Sequence, residues 1–210
     1  MTTRISIALD PALAPYRPEI VYTWRTLLAG MGYAWEEVPW GEPADIVYAA
    51  SAGAAPPGRL LMLAAPERWA RPGMFMLAGV EEGPGWARPR FAGERADREM
   101  VAHQDGRAVV ARDLAFDAFW LLTGQEEWQR PRGKHGYLDL TGTPTLEQGV
   151  LRMGLASSIG AGLERLLGEL GVAPGVPRWP GGKALAAACG HDVDYPQIIR
   201  WLEPLRILAR

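Results

Sequence analysis

The sequence contains very little cysteine and lysine. Cys189 is the one cysteine among 210 residues, so the chain cannot form an internal disulfide or a thiolate metal cluster. Lys134 and Lys183 are the only lysines, and the net charge of −2 leaves no basic surplus. Nucleic-acid-binding domains and proteins that bind anionic membranes both carry basic patches. We therefore expect neither a nucleic acid nor a membrane among the partners of this chain.

Long apolar runs are also missing. A membrane-spanning helix needs about 20 apolar residues, and no run in the sequence has that length. The first residues, Met-Thr-Thr-Arg-Ile-Ser-Ile, have neither the apolar core nor the small-residue cleavage site of a secretory signal. These two features predict a cytoplasmic protein.

Residues 1–112 have the pattern of an α/β domain. Arg4–Leu9 alternates apolar and small residues, as a strand does, and a helix with one apolar stripe follows from Pro18 to about Gly30. Three further short segments have strand character: Tyr33–Val38, Asp45–Ala49 and Arg59–Ala64. Strands and helices that alternate with short links predict a small three-layer α/β domain with parallel strand pairing.

The second half of this domain is interrupted by proline and glycine. Residues 65–99 therefore predict irregular structure. Asp105-Gly106 then lies between two strand-like segments, Met100–Gln104 and Arg107–Val110. An Asp-Gly pair is typical of the tight turn of a β-hairpin, so we expect a hairpin here.

Residues 113–172 form a predicted helical segment. Asp113 is placed to cap a helix over Leu114–Leu122, which is apolar almost all round and should be buried. A second helix is expected from Pro144 to Leu170. Residues 173–182 have the composition of a linker. Residues 183–210 then read as one β-α unit, with a strand at Ala184–Cys189 and a helix from Pro196 to Arg210.

The strongest candidate for chemistry is the segment His191-Asp192-Val193-Asp194. It follows a predicted strand and precedes a predicted helix, a position where α/β folds collect catalytic groups. Two carboxylates and a histidine suit a divalent metal, with one carboxylate as ligand and the other as general base. A purely structural role is the alternative: Asp194 caps the last helix and Asp192 belongs to a turn.

This segment resembles the first motif of polysaccharide deacetylase-like proteins, the NodB-homology or carbohydrate esterase 4 superfamily. In divergent members that motif is an apolar strand followed by His-Asp-Val-Asp, as in 184–194. The upstream chain is similar to the N-terminal domain that precedes such barrels. The matching features are Phe116–Trp128, His135-Gly136-Tyr137 and Trp179.

The resemblance implies a metal-dependent hydrolase that removes acetyl groups from a carbohydrate substrate, with zinc as the usual metal. Asp192 would be the catalytic base and Asp194 a metal ligand, with His191 in support. The family's second motif, His-x-x-x-His, does not occur among the three histidines His103, His135 and His191. We therefore expect residues 183–210 to be the start of an incomplete catalytic domain, inactive alone and without tightly bound metal.

Glu127 and His135 are a second, weaker candidate. They are close enough in sequence to meet across a short loop and form a polar cluster that supports the site. The alternative is a set of solvated charges at a helix end, where Glu126 and Glu127 are neutralised by Arg130 and Arg132. The resemblance leads us to expect a structural contact between Glu127 and His135. As for a catalytic role, we favour the alternative of solvated charges.

Two functions therefore compete. The first is the N-terminal portion of a deacetylase-like hydrolase. The second is a non-catalytic α/β accessory domain that binds a glycan or a partner protein. Residues 184–210 are unusually apolar in either case. They are expected to dock onto the α/β domain or to cause self-association.

Overall fold

The computed structural model describes residues 4–83, 85–95, 100–104, 106–128, 130–133, 136–173 and 179–183. Residues 1–178 make up one compact unit and residues 179–210 a second one. In the second unit, the described part contains a 3-10 turn at Pro180–Gly182. The predicted divisions at residues 112, 172 and 182 stay predictions.

The strands of the first unit form a main sheet and a separate hairpin. In chain order they are β1 (Arg4–Leu9), β2 (Ala34–Val38), β3 (Ala44–Ala49), β4 (Gly58–Leu63), β5 (Leu77–Gly83), β6 (Trp86–Phe91), β7 (Val101–Gln104) and β8 (Arg107–Val110). The main sheet has the order β2-β1-β3-β4-β8-β7. All of its pairings are parallel except β7–β8, and β5 pairs antiparallel with β6.

Helices connect and cover these strands. They are α1 (Arg17–Gly30), α2 (Pro66–Ala70), α3 (Leu114–Leu122), α4 (Gln125–Trp128), α5 (Pro144–Glu147) and α6 (Leu155–Glu169). Short 3-10 helices lie at Pro11–Tyr16, Ala52–Ala54, Pro72–Met74 and Val150–Arg152. The α/β class with parallel strand pairing is therefore confirmed.

Several local predictions are also confirmed. Each predicted strand of the main sheet begins and ends within one residue of its observed bounds, and the Asp-Gly hairpin is present as β7–β8. Asp113 caps α3 by accepting a hydrogen bond from the backbone N–H of Phe116 at 2.9 Å. The helix is buried from Leu114 to Trp120, as its apolar composition predicted.

Two predictions are wrong. The long helix expected from Pro144 to Leu170 is instead three pieces, because Gly149 and Gly154 adopt the left-handed conformation, with φ of 67° and 56°. The irregular segment 65–99 contains the β5–β6 hairpin. Pro89 lies within β6, and proline is tolerated in such a strand only where its missing N–H is not needed.

The core divides over the two faces of the main sheet. One face packs against α1, α3 and α6 in a large apolar cluster that includes Ile7, Ile46 and Leu60. The other face carries a smaller cluster of strand residues, among them Val47 and Leu61. The described helices that contribute to the core pack in the larger cluster, on one face of the sheet. A helical layer on the other face, which would be the third layer of the predicted arrangement, therefore stays a prediction.

Candidate functional site

The carboxyl edge of the parallel sheet is the first place where a ligand is expected. In an open α/β sheet, ligands bind where the connections from two neighbouring parallel strands lead to opposite sides along the sheet, here between β1 and β3. Asp10 lies there, directly after β1. Its carboxylate accepts hydrogen bonds from the backbone N–H groups of Ala12 at 2.9 Å and Ala50 at 3.0 Å. This carboxylate therefore joins the ends of two strands.

A cavity of about 250 Å³ adjoins this edge at the ends of β1 and β2. Its charged wall residues include Arg17 and Glu37, which form an ion pair with each other. Asp10 also lines it, with both oxygens already bonded. Arg17 and Glu37 pair with each other and Asp10 binds backbone N–H groups, so these three side chains do not indicate a particular ligand.

A second polar region is a buried charge cluster of Arg68, Arg88, Glu81, Glu94 and Asp117. Arg88 donates to Asp117 at 2.9 Å, to Glu81 at 2.6 Å and to Glu94 at 3.2 Å. Arg68 donates to Asp117 at 3.0 Å and forms an ion pair with Glu94. The cluster joins α2, α3 and the β5–β6 hairpin. Such internal pairing is what buried charges need in a folded chain.

Burial dominates the electrostatics of this cluster. It raises the pKa of Asp117 to about 6, although Arg88 and Arg68 act in the opposite direction. The negative charge of the neighbouring Asp113 also raises the pKa of Asp117. The guanidinium of Arg68 also lies 5.5–5.6 Å from the ring centres of Phe75, Phe91 and Phe116. These contacts hold the cluster in place and indicate a structural role.

Asp113 is the acceptor of a neighbouring buried network. Besides capping α3, it accepts from the hydroxyl of Tyr48 at 2.7 Å, the indole N–H of Trp69 at 3.0 Å and the backbone N–H of Ala65 at 2.8 Å. Burial raises the pKa of Asp113, and burial together with the Asp113 charge raises the pKa of Tyr48 well above its ordinary value. One carboxylate thus connects β3, β4, α2 and α3.

A third candidate is a cavity of about 280 Å³ that we call the glutamate cleft. It lies among β5, α3, α4, α5 and α6. Its walls are mainly apolar, with two glutamates and two hydroxyl groups; the residues are Leu77, Trp120, Leu121, Gly124, Glu126, Glu127, Leu138, Leu140, Thr145, Val150, Gly154, Leu155, Ala156 and Ser157. This combination of apolar surface and a few polar groups is typical of small-molecule sites.

A second cavity of about 320 Å³ shares Leu77 and Glu126 with the glutamate cleft. Arg130 lines this second cavity and donates to Glu126 at 3.0 Å. The hydroxyl of Thr145 donates to the other oxygen of Glu126. Hydrogen bonds to Arg130 and Thr145 therefore hold the carboxylate of Glu126 where the two cavities adjoin.

The structure describes one of the predicted site residues. Glu127 is exposed on α4 and lines the glutamate cleft. His135, His191, Asp192 and Asp194 lie outside the described residues, so their predicted roles stay predictions. The expected neutralisation at the end of α4 is present for Glu126 and Arg130, whereas Arg132 donates to the backbone carbonyl of Gly136 at 3.1 Å.

The sequence pointed to Glu126 only as a charge neutralised by nearby arginines, and it did not point to Trp120 or the buried charge cluster. A signal for the cluster was available: Asp117 is the one charged residue in the apolar stretch Leu114–Leu122. Because an isolated charge on a buried helix needs a partner, its position indicated buried cations. No comparable signal indicated the contact between Glu126 and Thr145, since the two residues are distant in sequence.

Three further findings concern metal binding, membrane crossing and similarity to known proteins. Within the described ranges, no group of three or more His, Cys, Asp or Glu side chains is arranged to hold a metal ion. In the same part of the chain, no helix combines the length and apolarity needed to cross a membrane. Comparisons of the chain with protein-family models, curated proteins and solved structures found no match.

Proposed function

We propose that this chain is the N-terminal portion of a metal-dependent polysaccharide deacetylase-like hydrolase. Residues 1–178 are the α/β domain that precedes the catalytic segment, and residues 183–210 begin that segment. The observation that carries the proposal is the sequence His191-Asp192-Val193-Asp194, which follows the apolar stretch 184–189 after the single residue Gly190. Its substrate class is a carbohydrate that carries N- or O-acetyl groups.

The roles follow from the resemblance and the chemistry of the side chains. Asp194 would hold a zinc ion and Asp192 would act as the general base, with His191 beside them and His135 and Glu127 in support. A bound zinc ion supplies Lewis acidity and lowers the pKa of a bound water to about 7. A carboxylate base next to such a water accepts its proton.

A metal and activity measurement tests this proposal. By itself the chain should retain less than stoichiometric zinc after dialysis and release no acetate from an acetylated sugar, because zinc hydrolases use three protein ligands plus water. Reading the gene beyond codon 210 then shows whether the frame continues into a His-x-x-x-His motif. The product of a continuing frame should bind zinc and release acetate.

Matched substitutions separate the two aspartates in that longer product. Asp194→Asn should lose zinc, whereas Asp192→Asn should keep zinc and lose acetate release. Asp139→Asn, at an exposed position, should change neither. Unchanged acetate release in Asp192→Asn, or a zinc-loaded product without activity, would contradict the proposal.

The alternative is a non-catalytic accessory domain that binds a glycan or a partner protein. The glutamate cleft and its adjoining cavity favour it, since both lie in the α/β unit and are described independently of residues 184–210. Stoichiometric zinc in the chain itself, together with acetate release, would exclude this alternative.

A further inference from the structure

Two buried donors, one at the glutamate cleft and one at its adjoining cavity, have no acceptor among the described residues. The indole N–H of Trp120 lies at the cleft and has no acceptor in the described part of the chain, and the residue itself is 3% exposed. The Nε–H of Arg130, at the adjoining cavity, is likewise buried and finds no acceptor within the described ranges. A buried donor without an acceptor costs free energy. Two such donors at adjoining cavities therefore point to an acceptor that the described residues do not supply.

The other groups of the cleft define the chemistry of that acceptor. Apolar walls such as Leu121, Leu138 and Leu155 exclude a fully polar ligand. The carboxylate of Glu127 is exposed at the cleft and accepts hydrogen bonds. A ligand must therefore offer acceptors to Trp120 and Arg130 and donors to Glu127. Hydroxyl groups do both.

Two exposed aromatic side chains are sequence neighbours of cleft residues. Trp128 is 80% exposed and follows Glu127, and Tyr137 is 76% exposed and precedes Leu138. Large aromatic side chains are amphipathic, and their faces pack against apolar surfaces. The C–H faces of a sugar ring are such a surface. Trp128 and Tyr137 are therefore candidates for stacking on a ring with hydroxyl groups.

The negative charge of the glutamate cleft disfavours anionic ligands. Glu126 and Glu127 bring two carboxylates to the cleft, and Arg130 neutralises one of them through its bond to Glu126. The remaining negative charge repels a carboxylate or phosphate ligand. The two cavities, of about 280 and 320 Å³, together lie within the usual size range of small-molecule sites.

We propose that the glutamate cleft and its adjoining cavity bind a neutral oligosaccharide. The choice of a sugar among hydroxyl-rich ligands rests on the proposed function, whereas the cleft rests on the contacts described above. The sugar hydroxyls accept from Trp120 and Arg130 after a small rotation of either side chain, and donate to Glu127. Trp128 packs against a sugar face at the rim. The α/β unit thereby holds the carbohydrate chain.

Calorimetric titration of the full chain tests this site with three defined probes. The first two are neutral: a trimer of N-acetylglucosamine and cellotriose. The third is the anionic trimer of galacturonic acid. At least one neutral trimer should bind, and the anionic one should bind about tenfold more weakly because of the excess negative charge.

Variants locate the binding. Ala156→Leu places a larger side chain on the cleft wall and should weaken binding at least about tenfold. Trp128→Ala should weaken it about three- to tenfold through loss of stacking. Glu127→Gln should narrow the difference between neutral and anionic trimers. Trp128 and Glu127 are exposed, so their variants test the site even if Ala156→Leu unfolds the protein.

Matched controls are available on α1 and α6. Tyr22→Ala removes an exposed aromatic ring and Glu169→Gln an exposed carboxylate, and neither residue lines the cleft. Both should bind as the unmodified chain does. Absence of binding of both neutral trimers at millimolar concentration overturns the inference, as does binding that the Trp128 and Glu127 variants leave unchanged. Neither result bears on acetate release, which depends on Asp192 and Asp194.

Discussion

The buried carboxylate of Asp117 determines which charged side chains must lie around it. It is fully buried on α3, where an unpaired carboxylate would be very unfavourable. Arg88 and Arg68 approach its two oxygens at 2.9 and 3.0 Å, and they in turn need Glu81 and Glu94. The whole buried charge cluster is therefore coupled to this one position. Removal of one partner from such a cluster is more damaging than replacement of the whole set.

The first prediction at this scale concerns pH. Because the pKa of Asp117 is raised to about 6, the folded chain keeps a proton that the unfolded chain has lost above pH about 4. The stabilising contribution of this proton is complete below pH about 4 and disappears as pH rises through about 6. Asp117→Asn removes the titration. Its stability relative to the unmodified chain should therefore increase between pH 4 and 7 in urea unfolding.

Asp117→Ala is the control, because alanine lacks the polar group that asparagine retains. Asp117→Ala leaves Arg88 and Arg68 short of an acceptor, so it should cost about 3–5 kcal/mol, more than Asp117→Asn. A stability difference between the Asn variant and the unmodified chain that stays constant over this pH range would show that Asp117 titrates normally. Comparison of the two chains cancels the contributions of carboxylates that do not interact with Asp117.

Residue-level prediction from sequence was successful where the contact was local. The cap from Asp113 to Phe116 spans three residues and was predicted. The bonds from Tyr48 and Trp69 to the same carboxylate span 65 and 44 residues, and no local pattern indicates them. The pair of Glu126 and Arg130, four residues apart, was also accessible to sequence reasoning. The hydrogen bond from Thr145 to Glu126 was not accessible in this way.

At the scale of elements, glycine decides where the helical segment breaks. The spacing of leucines predicted one helix from Pro144 to Leu170, since apolar periodicity continues through the breaks. Gly149 and Gly154 interrupt it with left-handed φ values. Gly160, Gly162 and Gly168 lie within α6 and keep the helix intact. Periodicity therefore identified the buried face but could not tell a helical glycine from one that ends a helix.

Two glycine substitutions should act in opposite directions. Gly154→Ala forces a Cβ into a left-handed conformation with φ of 56°, which should destabilise the chain by about 1 kcal/mol. Gly168→Ala lies in the helix, where an added Cβ meets no atom within 4 Å, and should stabilise it by up to about 1 kcal/mol. Chemical denaturation measures both. Equal effects of the two substitutions would contradict the assigned break before α6.

At the scale of the whole molecule, strand order locates the open spaces. The alternation of strands and helices predicted parallel pairing, and the main sheet has it. The order in which strands lie side by side depends on long-range packing, so the sequence did not indicate that Asp10 links the ends of β1 and β3. Nor did it predict the β5–β6 hairpin, whose Leu77 lines both the glutamate cleft and its adjoining cavity. The candidate site thus combines α3, which was predicted, with elements that were missed or joined wrongly.

The last prediction concerns residues 184–210, which lie outside the described part of the chain. From Gln197 onward the sequence has a narrow polar stripe that includes Arg200, and the remaining positions are mainly apolar. A surface helix normally exposes a broad polar face, so this segment needs cover from the α/β unit or from a second copy of the chain. Light scattering over a range of concentrations, combined with hydrogen exchange, should show slow exchange in this segment or concentration-dependent association. Ile199→Glu together with Leu202→Glu should abolish whichever effect is seen, whereas Arg200→Glu, within the polar stripe, should preserve it. A monomer at every concentration whose residues 184–210 exchange freely would show that the segment needs no cover.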